Sequence, residues 1–214
     1  MNIIYDVETT TFQKGNPFSK RNKLVLAGFK YPDGDYSLTT GRLEVHKDNT
    51  LIGFNLKFDL HWAQRCWQWG YDLKVWDVQL AHFMLTGQSH TYPSLNDVCK
   101  YYGHPEKLDV VKLEYWDKGI DTDGIPTPIL EQYLKQDLDV TELCYKSQVE
   151  DFKNNPALYR LFRLACRDLL VLAEMEWNGL PFNEELAQEK SDELENLITK
   201  TLRNLNSVYP NVPR

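Results

Sequence analysis

Two periodicities divide the chain. Apolar and β-branched residues crowd into short runs at 2–7 (NIIYDV), 23–29 (KLVLAGF) and 50–54 (TLIGF), which read as strands. PDGD at 32–35 marks a tight turn, so YSLTT (36–40) reads as a further strand hairpinned to the second. LKVWDV (73–78) is a fifth. Elsewhere the spacing turns helical. Leu56, Leu60, Ala63 and Trp67 recur every three or four residues, with Gly70 placed for a helix C-terminus. LAHFML runs to a closing Gly87, and Ser94 with Asp97 has the form of a capping box for a helix ending near Gly103. Residues 104–125 show no regular pattern, and a long helix follows from about Pro128 to Phe152. A helix from Asn155-Pro156 to Glu176 carries Leu158, Leu161, Phe162, Ala165, Leu169 and Leu172 on one stripe. WNGLPFN (177–183) breaks it. Asn183 caps a last, more polar helix to about Ser207, and VYPNVPR ends the periodicity.

Strands alternating with helices predict an α/β domain over 1–152. The last two helices predict a helical extension over 153–214, arranged as a hairpin. With 214 residues, 42% apolar and 26% charged, the chain has the composition of a globular protein. No apolar run approaches the ~20 residues of a membrane span, and MNIIYDVETT lacks the features of a signal peptide. Cys66, Cys99, Cys144 and Cys166 are widely spaced without a CxxC pair, so they read as small buried hydrophobes in a reducing compartment. A cytoplasmic location without membrane contact is therefore expected. His46, His61, His82, His90 and His104 form no HxH or HxxxH pair, which argues against zinc. The net charge of −7 argues against gripping nucleic acid by bulk positive charge. An acidic protein can still act on phosphodiesters when its carboxylates hold divalent cations.

Three segments carry carboxylates in a suggestive order. Asp6 and Glu8 lie two apart on the first strand and so share a face. A DxE triplet is weak alone, since about one is expected by chance in a chain of this composition. Asn55 and Asp59 stand four apart where a strand passes into a helix; an Asn N-cap followed by a surface Asp is the plainer reading. Tyr133 and Asp137 share a helical face, an arrangement often no more than a surface hydrogen bond. Asp139 points elsewhere and reads as a solvated or N–H-bonded acid.

Taken in order, DVETT (6–10), IGFNLKFD (52–59), WDVQLAHFML (76–85), PSLNDVCKYYG (93–103) and YLKQDLDVT (133–141) resemble the DEDDy 3′→5′ exonucleases. The likeness is greatest to the proofreading exonuclease domain of family A, polymerase I-type, DNA polymerases. MEWNGLPFN (175–183) is similar to the turn by which that family passes towards its polymerase domain, so the resemblance spans about residues 1–183. It implies an RNase H-like mixed sheet flanked by helices and removal of nucleoside 5′-monophosphates from DNA 3′ ends. By the same likeness Asp6, Glu8, Asp59 and Asp137 bind two divalent cations, Mg²⁺ or Mn²⁺, and Tyr133 orients the attacking water. Thr9, Phe12, Asn55 and Phe58 match positions around the 3′-terminal nucleotide. Phe12 stands where leucine is frequent, and Phe58 where tyrosine is frequent.

The implied partner is a single-stranded DNA 3′ end, together with a polymerase domain in the same or a separate chain. Two other readings share the pattern: an RNA-trimming enzyme of the RNase D type, and an inactive RNase H-like scaffold. Lys14, Lys20, Arg21 and Lys57 are the basic candidates for phosphate contacts. Trp62, Trp67, Trp69 and Trp76 read as core rather than as base-stacking platforms.

Overall fold

A computed structural model describes residues 1–107 and 110–209. Two compact units emerge, Met1–Trp177 and Asn178–Arg214. The first contains β1 (Asn2–Thr9), β2 (Leu24–Lys30), β3 (Tyr36–Thr39), β4 (Thr50–Gly53), α1 (Leu56–Trp67), β5 (Lys74–Asp77), α2 (Val78–Leu85), α3 (Leu95–Tyr102), α4 (Val110–Glu114), α5 (Thr127–Lys153) and nearly all of α6 (Pro156–Asn178). The second contains α7 (Glu184–Val208), whose N-terminus is capped by the Asn183 side chain accepting from the Leu186 N–H. The division falls after Trp177 and not after residue 152, because α6 buries Phe162, Cys166, Leu170 and Ala173 within the first unit.

The strands form one sheet in the order β3-β2-β1-β4-β5. β1–β2 and β2–β3 are antiparallel, and β1–β4 and β4–β5 are parallel. This mixed five-stranded sheet with helices packed on it is an RNase H-like α/β fold. β1 is central and covered on both faces, which explains its nearly continuous burial from Ile3 to Thr9.

Helix α5 decides where the chemistry lies. Its buried residues Leu130, Tyr133, Leu134, Asp137, Leu138, Thr141 and Cys144 follow the three-four spacing of a helix face laid on a sheet. That face lies against β2 at Gly28, where an added Cβ would stand 3.1 Å from Leu134 Cδ2 and 3.2 Å from Leu138 Cδ1. Gly28 is the register partner of Asp6 across β1–β2, so the missing side chain lets α5 approach Asp6.

Trp62, Trp67 and Trp76 are buried and Trp69 packs against the core, as their placement in the sequence predicts. Cys99, Cys144 and Cys166 are buried free thiols, but Cys66 is exposed, because it falls on the outer side of α1. The 104–125 region is not wholly irregular: it holds α4 and 3-10 turns at Trp116–Lys118 and Thr122–Gly124. Leu108, Asp109 and the final PNVPR lie outside the described residues. No described helix is long and apolar enough to cross a membrane.

Candidate metal centre

Strand β1 delivers two carboxylates and α5 a third. One oxygen each from Asp6, Glu8 and Asp137 lies within 4.8 Å of the others. Asp6 and Glu8 alternate with Val7 and so leave the same face of the strand, and a register irregularity between Glu8 and Thr9 ends the regular ladder beside them. Glu8 and Asp137 are each only 7% exposed, and Tyr133, one helical turn before Asp137, is equally buried. The Tyr133–Asp137 pair is thus turned inward, away from the surface where such pairs usually sit.

Asp59 reaches this group through Asp6. The Val7 N–H donates to both acids, at 3.0 Å to Asp6 Oδ1 and 3.1 Å to Asp59 Oδ1. The two side chains also act on each other directly: Asp6 pushes Asp59 up, while Asp59 draws Asp6 down. Asp59 is 2% exposed in the first turn of α1, held against β1 where the Tyr5 hydroxyl donates to its backbone carbonyl.

The electrostatics follow from crowding acids out of water. Burial, then repulsion from Asp137, pushes Asp6 up to about 7 against the pull of Lys107 and the Val7 N–H. Glu8 and Asp59 are also raised well above the carboxylate range, first by burial and then by Asp6. Burial and the Asp137 charge raise Tyr133, which stays a neutral phenol at ordinary pH. An all-oxygen set of hard, mutually repelling donors suits Mg²⁺ or Mn²⁺, and a divalent cation would relieve the repulsion that helps to raise these carboxyls. The residues present therefore fit the cations that the sequence resemblance implies.

A cation that the sequence did not mark is already in contact with the site. Lys107 Nζ donates to the Tyr133 hydroxyl at 2.7 Å and to Asp137 Oδ2 at 2.9 Å. Burial opposes its charge, yet Asp137 and Tyr133 hold its pKa above the ordinary lysine value. Lys107 sits in the stretch without periodicity, so no pattern singled it out.

The remaining candidates surround this centre unevenly. Thr9 is buried at the end of β1, and Gly15 (φ +72°) packs so closely that a Cβ there would stand 2.7 Å from Thr9 Oγ1 and 3.0 Å from Phe58 Cζ. Phe12 lies in the 11–22 loop under the Arg21 guanidinium, 3.6 Å from the ring centroid. That loop is pinned by Arg65, which donates to the carbonyls of Pro17, Ser19 and Asn22, and by Trp62 Nε1 on the Gly15 carbonyl. Lys57 is engaged with Glu176 at 2.6 Å, while Lys14 and Lys20 are exposed.

Asn55 does not cap α1 with its side chain. It adopts a left-handed conformation (φ 55°) and makes no cap bond. Asp77 takes that role, accepting from the Leu56 N–H at 2.7 Å while also capping α2 through the Leu80 N–H at 2.9 Å. Asn55 and Asp77 instead border a cavity of about 510 Å³ with Lys57, Gln79, Phe83 and Tyr92, and none of the four site acids lines it. Asp139 points elsewhere, partly exposed, and accepts from Lys30 Nζ at 2.7 Å and from the Tyr36 hydroxyl.

Neither a protein-family model nor a curated protein sequence matches the chain. Solved structures do. A protein described as the apo form of a nuclease is similar at TM-score 0.63 and 13% identity, over 83% of this chain and 85% of that one. Brucella melitensis NrnC bound to pGG is similar at TM-score 0.62 and 13% identity, over 83% and 85% of the two chains. Brucella melitensis NrnC with bound Mg²⁺ is similar at TM-score 0.61 and 14% identity, over 83% and 86%. At such identities the likeness establishes a shared fold.

Proposed function

We propose that this protein is a metal-dependent 3′→5′ exonuclease that removes nucleoside 5′-monophosphates from the end of a single DNA strand. The observation that carries the reading is the convergence of Asp6, Glu8 and Asp137 within 4.8 Å, with Tyr133 buried beside them. An isolated cluster of acids would be weak support. Here it occurs in an RNase H-like frame with the residue order of the DEDDy enzymes, and the similar NrnC structures carry Mg²⁺ and pGG.

In this reading Asp6, Glu8 and Asp137 would hold two divalent cations, and Asp59, joined to Asp6 through the shared Val7 N–H, would complete the set. The bound cations would supply positive charge against the scissile phosphate and acidify the attacking water. The chain's own groups do the rest. Tyr133 offers its phenolic proton to the reacting oxygen and fixes its direction. Thr9, Phe12 and Phe58 wall the terminal nucleotide, and Asn55 borders the strand behind it. The pinned 11–22 loop keeps Phe12 in place as that nucleotide is held. The proofreading role is the extension suggested by MEWNGLPFN, with a polymerase domain in the same or a separate chain as partner.

Single strands of DNA and RNA, labelled at the 5′ end and incubated with Mg²⁺, Mn²⁺ or EDTA, test the reading. Stepwise shortening of DNA only when metal is present is the expected result. Internal cutting, or equal activity in EDTA, would sink it. Faster shortening of RNA would move the protein to the RNase D type. Preference for an unpaired over a paired 3′ end would support proofreading.

A further inference from the structure

Lys107 is held by more than its charge partners. Its backbone N–H donates to Asn96 Oδ1 at 3.0 Å, and Asn96 Nδ2 donates back to its carbonyl at 3.4 Å. Asn96 stands in the first turn of α3, a helix closed at its start by the Ser94–Asp97 capping box. The next turns of α3 and the residue beyond Gly103 are tied to α5: Tyr102 donates to Asp151 at 2.8 Å, and His104 Nε2 meets Ser147 Oγ at 2.8 Å. Lys107 is thus suspended from a helix that is itself fastened to the helix carrying Tyr133 and Asp137.

The direction of one hydrogen bond matters most. An ammonium has three N–H donors and no acceptor. The Tyr133 hydroxyl therefore accepts from Lys107 and must send its own proton elsewhere. Lys107 also stands 4.6 Å from the centroid of the Tyr133 ring, whose edge-to-face neighbour is Trp116. Ring and hydroxyl are both constrained, and the phenol is left in the role of donor.

We propose that Lys107 is a positioning residue for phosphodiester hydrolysis: its ammonium, placed by the Asn96 clamp, fixes the Tyr133 hydroxyl as a hydrogen-bond donor towards the reacting oxygen. The proposal rests on the exonuclease reading of the site. The plainer alternative makes Lys107 a counter-ion to Asp137 and nothing more. The two differ in what removal of the ammonium does. A counter-ion competes with divalent cations, so its loss would strengthen metal binding and leave turnover unharmed. A positioning residue acts through Tyr133, so its loss would lower turnover even though metal binds as well or better.

The test compares Lys107→Met, Asn96→Ala, Tyr133→Phe and Lys107→Met/Tyr133→Phe with the unaltered protein. Three quantities are read: kcat and KM on an oligonucleotide, Mn²⁺ affinity of the protein alone by calorimetry, and the thermal midpoint as a check on folding. Lys107→Met should lower kcat about tenfold with little change in KM, as for loss of one directed hydrogen bond. Its Mn²⁺ affinity should be equal or several-fold higher, because a neighbouring positive charge has gone. In the Tyr133→Phe background the same change should cost less than about twofold, since the hydroxyl it directs is absent. Asn96→Ala, which alters no group at the carboxylates, should show the same kcat loss in weaker form. Unchanged kcat in Lys107→Met, losses that multiply in the double variant, or weakened Mn²⁺ binding would each overturn the proposal. An unaltered protein that shortens no strand would overturn it together with the exonuclease reading, whereas an active one with a silent Lys107→Met overturns the lysine's role alone.

Discussion

Helix α5 carries two aspartates two residues apart that meet opposite fates. Asp137 turns into the sheet, where it crowds Asp6 and Glu8. Asp139 turns towards β2 and β3, where Lys30 Nζ lies 2.7 Å away and the Tyr36 hydroxyl donates to it. Glu142, one turn later, joins that second cluster at 2.6 Å from Lys30 and 2.8 Å from Lys146. The protonation behaviour divides the same way. Although burial pushes Glu142 up, Lys146 and Lys30 bring it below the ordinary carboxylate value, whereas Glu8 is raised by burial with too little opposing charge. One cluster arrives neutralised by its own lysines. The other has more carboxyls than its one lysine, Lys107, can balance, so it takes up protons or a cation, and a divalent cation would relieve the crowding.

Breaking the under-neutralised cluster should have the largest effect on activity and the opposite effect on stability. Asp6→Asn and Asp59→Asn should each lower nuclease turnover by about 10³-fold or more, equivalent to roughly 4 kcal/mol of transition-state stabilisation. Tyr133→Phe should cost less, about 10- to 100-fold, because the carboxylates remain. Turnover within threefold of normal in Asp6→Asn would remove the site from the chemistry. In the absence of metal the same Asp6→Asn protein should melt higher than the unaltered one at pH 8, since a repelling charge has gone.

The pH dependence of the metal-free protein sharpens the contrast. Asp6 has a folded pKa of about 7, above its value in an unfolded chain, and Glu8 and Asp59 are raised in the same direction. The folded state therefore holds protons that the unfolded state releases, so these groups favour folding fully at acid pH and lose that contribution as pH rises, Asp6 through about 7. In EDTA the melting temperature should fall between pH 5 and pH 8, by several degrees on the order expected for a domain of this size. Saturating Mg²⁺ or Mn²⁺ should flatten the slope. A melting temperature that rises over this range in EDTA would contradict the raised carboxylates. Glu142 has the opposite sign: its depressed pKa stabilises above the unfolded value and is lost only as acid protonates it.

The smallest effect should come from the neutralised cluster. Lys30→Met leaves Asp139 and Glu142 without their shared partner and should cost about 1–2 kcal/mol in a denaturant melt, with nuclease activity unchanged. Loss of activity equal to that of Asp6→Asn would mean that the two clusters are coupled and that the comparison between them fails.

Much of this was legible along the chain because it depends on neighbours in sequence. The five strands follow from short β-branched runs, and the Ser94–Asp97 box and the Asn183 cap appear as written. The pairing of Asp6 with Glu8 on one strand face, and of Tyr133 with Asp137 on one helix face, also needs only local periodicity. Residue order then marked Asp59 as their companion. Other groups gave no local signal. Asp77 caps α1 from 21 residues downstream, in place of Asn55, because β5 ends beside β4. Lys107 reaches Tyr133 and Asp137 from an aperiodic stretch through Asn96, a residue with no motif of its own.

The sequence by itself determined which residue types occur, on which face of which element, and hence that an acidic chain carries acids where an RNase H-like sheet would expose them to one another. Tertiary structure decided which of those acids meet enough opposing charge and which do not. That choice depends on distances between elements far apart in the chain: α5 lies against β2 at Gly28, Asp137 thereby meets Asp6, and Lys30 reaches Asp139 instead. Electrostatic interaction and desolvation vary with separation in space, and linear spacing fixes that separation only within a single helix or strand.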